Sequence, residues 1–156
     1  MKKPMADRSM HIRKGEPQDL PDALRLIQEL AVFEKEPDAV ITTVESMKKD
    51  GFGSGKIFDF FVAEVENTIV GLSLFYYRYS TWKGKCLYLE DLIVEENKRG
   101  LGIGRALFDK TMEFGRENEC KKMIWQVLDW NAPAIEFYKK YNSHLDGEWI
   151  NCSIDL

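Results

Sequence analysis

The chain has 156 residues, a formal net charge of −4, 44% hydrophobic and 31% charged residues. That composition fits one globular domain with its own core and excludes a disordered or fibrous chain. No apolar run reaches the roughly 18 to 20 residues of a membrane span, and no basic run is long enough to make nucleic acid the main partner.

Residues 1–10 carry no apolar segment of the secretory type and read as a flexible leader before a single domain over 11–156. His11-Ile12-Arg13-Lys14 reads as a first strand. Pro17 to Glu34 follows with apolar residues at Leu20, Ala23, Leu24, Ile27, Leu30 and Ala31, the spacing of an amphipathic helix. Thr42 with Glu45 predicts the start of a shorter helix, and Gly51 its stop. Phe58 to Val65 and Ile69 to Tyr79 read as strands joined by a hairpin turn at Glu66-Asn67-Thr68. Lys85 to Val94 is a fourth strand, Gly102 to Asn118 a helix, and Lys122 to Leu128 a fifth strand. A helix capped by Asn131, with Pro133 in its first turn, runs to Tyr141. His144 to Asp155 is expected to close the sheet with one or two more strands. The order predicts an α/β fold with a mixed, largely antiparallel central sheet and flanking helices.

Three cysteines (Cys86, Cys120, Cys152) lack paired spacing, and the two histidines (His11, His144) lie far apart. A metal site and a Ser-His-Asp triad are therefore not expected, and reduced thiols in the cytoplasm are. An acidic surface attracts a cationic small molecule.

The run Arg99-Gly100-Leu101-Gly102-Ile103-Gly104-Arg105 joins the fourth strand to the next helix. Alternate glycines let backbone approach a ligand closely, and the first N–H groups of the helix have no partner inside it. With the helix dipole this suits a phosphate or pyrophosphate, and Arg99 and Arg105 add charge. A tight turn with no ligand is the competing reading. No Gly-Lys-Ser/Thr is present, which excludes a Walker loop. Arg105 stands where a dinucleotide fingerprint needs its third glycine.

The order of elements, Arg99-x-x-Gly102-x-Gly104, and Asn131-x-Pro133 with Phe137-Tyr138 resemble the GCN5-related N-acetyltransferase (GNAT) family. The stretches Asp50-Gly51-Phe52-Gly53, Trp82-x-Gly84-Lys85, Leu87-Tyr88-Leu89-Glu90-Asp91 and Trp130-Asn131 are similar to its diamine acetyltransferases of the spermidine/spermine type. The sequence departs from them in a shorter C-terminal region, in Tyr141-Asn142-Ser143 after Tyr138, and in Phe33 where a tyrosine is often found. The resemblance implies the acyl-CoA N-acyltransferase fold, acetyl-CoA as co-substrate, no metal and a homodimer. It implies direct acetyl transfer to a primary amine of a small cationic acceptor, a diamine or polyamine. The alternatives are a lysine-like amino acid of the thialysine type, a protein amine, or a non-catalytic acetyl-CoA sensor.

Residue by residue, the resemblance places the coenzyme on Arg99 to Arg105, on the backbone of Leu92, Ile93 and Val94, and on Asn131, Pro133 and Tyr138. Tyr138 is the candidate general acid for the leaving thiolate; the alternative is a core tyrosine. Glu90 is the candidate base, through water, or else only the partner of the ammonium. Glu90 and Asp91 are neighbours on a strand, so only one of them is expected to face the site directly. Phe33, Glu34, Glu36 and Trp82 are candidates for the amine pocket. Trp125 is a candidate either for the pocket or for the core.

Overall fold

The computed structural model describes residues 10–156. The expected leader lies outside the described residues except for Met10, which already belongs to the first strand. The chain divides into a sheet-and-helix unit ending at Trp125 and a C-terminal unit, Gln126–Leu156.

In the first unit β1 (Met10–Lys14), β2 (Asp59–Val65), β3 (Thr68–Ser80), β4 (Gly84–Val94) and β5 (Met123–Ile124) pair in chain order. The first four are antiparallel, and β5 joins β4 in parallel. Glu66 and Asn67, at φ of 49° and 62°, make the two-residue turn whose twist matches the flanking strands. Helix α1 (Leu20–Phe33) follows a 3-10 turn at Pro17–Asp19; α2 (Val44–Phe52) and α3 (Ile103–Glu117) complete the unit.

Strand alternation gives the sheet two apolar faces. Val62, Leu72, Leu74 and Ile93 pack with Leu20, Ala23 and Leu26 of α1 and Met47 of α2. Phe61, Ala63, Val70, Phe75 and Leu87 pack with Ile103 and Leu107 of α3. Polar ties fix α1 beside the end of β4. The Arg25 guanidinium donates to Glu95 at 2.8 Å and to the Ile69 carbonyl at 3.0 Å. At the start of the helix Arg13 donates to both oxygens of buried Asp19, which holds that carboxyl below its usual range.

Three expectations change. The cap of α2 is Thr43, whose hydroxyl accepts from Ser46 N–H, and the helix runs through Gly51 to Phe52. The pair Thr43/Ser46 satisfies two helix-start donors that a Thr42/Glu45 pair, one residue earlier, does not reach. The fifth strand is only Met123–Ile124, because β4 bulges at Glu90, two residues past its last rung with β5 at Tyr88, and a bulge bends the strand away. The segment 144–155 forms no strand. It has no ladder partner among the described residues, and Trp149 and Ile150 are 80% and 87% exposed.

In the C-terminal unit α4 (Ala132–Lys139) starts as expected at Asn131, whose side-chain oxygen accepts from Ala134 N–H at 3.4 Å. The Ser143 hydroxyl donates to the Tyr138 carbonyl at 2.8 Å near the end of this helix.

Candidate active site

The loop between β4 and α3 makes a cradle. Gly100 and Gly102 have φ of +78° and +83°, a region L side chains rarely enter, and a Cβ on either meets nothing within 4 Å. Gly102 caps α3, and the first helical bond runs from Ala106 N–H to the Gly102 carbonyl. The N–H groups of Ile103, Gly104 and Arg105 precede that bond and are left for an acceptor outside the helix. Gly104 is less constrained: its φ is ordinary, and a Cβ there would make normal contact with Val94. Arg99 donates to the Val94 carbonyl at 3.1 Å and lies 5.5 Å over the Phe33 ring, so it ties the cradle to the end of α1. Arg105 is exposed beside Asp109, and Leu101 is exposed between the glycines.

Beyond Tyr88, β4 has no strand on the side away from β3 among the described residues. Those N–H groups between Leu89 and Val94 that point away from β3 therefore have no ladder partner and lie open toward a ligand's polar atoms. The side chains of Leu92 and Val94 pack on the α3 face and that of Ile93 on the α1 face, so only backbone is offered there.

The bulge changes where the carboxylates point. Leu74 pairs with Asp91 and Phe75 with Leu89, leaving Glu90 as the extra residue. The Tyr76 hydroxyl donates to Glu90 at 2.8 Å, and Tyr76 shares a face with Leu74, two residues away. Asp91 lies directly across from Leu74. Both carboxylates thus stand on the α1 face, where simple alternation predicted that only one would. Glu34, the residue that closes α1, contributes a third charge to the field at Asp91.

The electrostatics follow from this crowding. Burial, then the charges of Glu90 and Glu34, raise the Asp91 pKa to about 7. Partial burial also pushes Glu34 up. Burial and donation to Glu90 push the Tyr76 phenol up, so it keeps its proton. The Tyr76 ring stacks on Tyr88 at 5.4 Å, and Arg78 lies 5.6 Å over Tyr88.

Not every sequence candidate joins this cluster. Trp82 sits at the tip of the β3–β4 hairpin, 89% exposed. Six residues of strand separate that tip from Leu74 and Asp91, about 20 Å. Trp125 is half-buried and packs edge-on against Phe108 of α3. Glu36 lies exposed beyond α1, its N–H donating to the Ala31 carbonyl. In the C-terminal unit Tyr138 is buried, and burial pushes its phenol to about 12. Pro133 stands in the first turn of α4. Asp91, Tyr76, Tyr88 and Arg78 were not singled out from the sequence as site residues. The Leu87-to-Val94 run advertised two carboxylates, but the bulge that turns both inward has no local signature. Among the described residues no group of three or more His, Cys, Asp or Glu is placed to hold a metal ion, and no helix is long and apolar enough to cross a membrane.

Comparison with known proteins gives four matches. Residues 24–142 match the Acetyltransferase (GNAT) family. A thialysine N-epsilon-acetyltransferase of Bos taurus is 39% identical over 136 residues, 82% of this chain and 80% of that protein. A spermidine/spermine N(1)-acetyltransferase-like protein 1 of Homo sapiens is 37% identical over 134 residues, 81% of this chain but 19% of that protein. Among solved structures, an aminoglycoside acetyltransferase from an uncultured soil metagenomic sample shares the fold, with a TM-score of 0.80 at 24% identity over 97% of this chain and 99% of that one.

Proposed function

The chain belongs to the GNAT acetyltransferase family and is an acetyl-CoA-dependent N-acetyltransferase; from that premise we propose that its acceptor is a lysine-like amino acid acetylated on its side-chain amine. The diamine expected first from sequence gives way here to the thialysine-type alternative, because the thialysine enzymes match this chain across most of their own length. The observation that carries the mechanism is the acidic group made by Glu90 and Asp91 on the α1 face of β4 and Glu34 at the end of α1, next to the open edge of β4.

In this reading residues 11–156 act as one catalytic domain. The N–H groups of the Gly100–Arg105 cradle hold the pyrophosphate, and the backbone of Leu92 to Val94 holds the pantetheine arm and polarises the thioester carbonyl. The resemblance assigns Asn131 and Pro133 to the coenzyme as well. Glu90, fixed by Tyr76, keeps the ammonium in place. Asp91 takes its proton directly or through water, with Glu90 beside it. Tyr138 donates to the sulfur as the thiolate leaves. Phe33 and Glu34 border the amine. Trp82, far along the hairpin, reaches only a long acceptor or a partner subunit. An acceptor panel of amino acids, diamines, polyamines and peptides, read by free thiol release, tests the assignment: lysine-like amino acids are expected to give the highest kcat/KM. A preference for spermidine would restore the diamine reading.

The cradle makes a separate prediction. Gly102→Val places a β-branched side chain at φ +83° in the space left for the ligand. Loss of one charged backbone hydrogen bond costs about 1.5 to 3 kcal/mol, so acetyl-CoA Kd is expected to rise at least roughly tenfold. Unchanged affinity by calorimetry in the folded variant would remove the loop from the coenzyme site.

The protein is further proposed to be a homodimer. The resemblance suggests it, and the exposed side chains of Trp149, Ile150 and Ile154 support it by offering apolar surface for burial. Light scattering should give twice the 18.1 kDa of one chain; a concentration-independent monomer mass would refute this.

A further inference from the structure

One face of the β3–β4 hairpin carries a graded series of groups. Asp91 stands opposite Leu74, Glu90 sits in the bulge, Tyr88 is opposite Tyr76, and Cys86 is opposite Arg78. Leu74, Tyr76 and Arg78 alternate along β3 and therefore share a face. Contacts bind the series together: Tyr76 to Glu90 at 2.8 Å, the Tyr76 and Tyr88 rings at 5.4 Å, and the Arg78 guanidinium 5.6 Å over Tyr88. The face is negative at one end, aromatic in the middle and positive at the other.

We propose that Arg78 binds the carboxylate of the acceptor and so selects a lysine-like amino acid over a diamine of the same length. The proposal rests on the reading above of Glu90 and Asp91 as the amine site. Its geometry is a match of lengths. Three residues of strand separate the level of the bulge from Arg78, about 10 Å. An extended lysine places six bonds between its side-chain nitrogen and its carboxylate carbon, roughly 7 to 8 Å. With a hydrogen bond of about 3 Å at each end the bound lysine spans roughly 13 to 14 Å, so the flexible carboxylate and guanidinium side chains accommodate it by splaying apart about 3 to 4 Å beyond the strand spacing. The methylene chain then lies along the Tyr76 and Tyr88 rings.

Charge decides the selectivity. A guanidinium over an aromatic ring keeps N–H donors at its edge in the fork geometry that suits a carboxylate. A diamine held at the same acidic end would bring its second ammonium toward Arg78, where like charges repel. The β2 strand ends its pairing with β3 at Phe75, so the Tyr76–Ser80 stretch and Arg78 are reachable by a small molecule.

The test compares lysine with cadaverine, which differ only in the carboxylate. Steady-state thiol release would be measured for the wild type, Arg78→Gln and Arg78→Lys with both amines. Arg78→Gln is expected to raise the lysine KM about tenfold, as for loss of one charged hydrogen bond. The cadaverine KM should stay level or fall, which also shows that the variant is folded. Arg78→Lys should recover part of the lysine affinity, since it restores charge without the fork. Equal changes for the two amines in Arg78→Gln, or none, would overturn the role of Arg78 and leave the acceptor reading standing. A wild-type chain that acetylates cadaverine but not lysine would overturn the lysine-like acceptor and Arg78 together. One that acetylates neither would remove the amine-site reading as well.

Discussion

Asp91→Asn is expected to lower kcat by about 10²- to 10⁴-fold, the range of a general base. The reason lies in proton affinities. An ordinary carboxylate near 3.9 and an alkylammonium near 10.4 differ by about 6.5 units, so transfer between them is steeply uphill. At about 7, Asp91 roughly halves that gap. Only its ionised form accepts a proton, so wild-type kcat/KM for the amine should rise with pH through an inflection near 7. The asparagine variant should lack that limb. Glu90→Gln removes a charge that raises the Asp91 pKa, so its limb should move to lower pH. Stability responds in the opposite sense to activity. The folded pKa lies above the unfolded one, so the folded chain binds the extra proton between about pH 4 and 7. The stability this confers is full below that window and is lost as pH rises through it. Wild-type Tm should therefore fall across this range, and Asp91→Asn should flatten the dependence and melt no lower than wild type at pH 8. A folded variant with full kcat would return the base to Glu90 or to water.

Tyr138→Phe is expected to reduce kcat by about ten- to 150-fold with little change in acetyl-CoA affinity, the value of one hydrogen bond to a developing charge. Burial holds the phenol at about 12. A thiolate of pKa near 8.5 takes a proton from such a phenol only at a cost of about 5 kcal/mol. Tyr138 is thus proposed to act by hydrogen-bonding the sulfur as charge grows on it, with solvent able to complete protonation. Its active form is the neutral phenol, so no loss of kcat is expected from its ionisation between pH 7 and 10. Thiol release by stopped flow, beside a melting curve, tests this. Full kcat in the folded variant would leave Tyr138 as a packing residue.

The sequence by itself determined the order of elements through β4 and α3, because period-2 and period-3.6 apolar patterns are local. It also determined the glycine cradle, because left-handed φ at Gly100 and Gly102 restricts the residue type directly. The cap at Asn131 was legible for the same local reason. Only the tertiary structure decided the register of β4. A bulge is a count of residues on one strand against its partner, so nothing in Leu87 to Val94 alone reveals that Glu90 is the extra one. That single register shift turns Glu90 and Asp91 to one face, and packing against the end of α1 adds Glu34 to the same field. It also ends the β4–β5 ladder at Tyr88, which shortens the expected fifth strand and opens the edge beside the carboxylates. Proton affinity at Asp91 depends on burial and on charges remote in sequence, and these are fixed only when the strands and α1 come together.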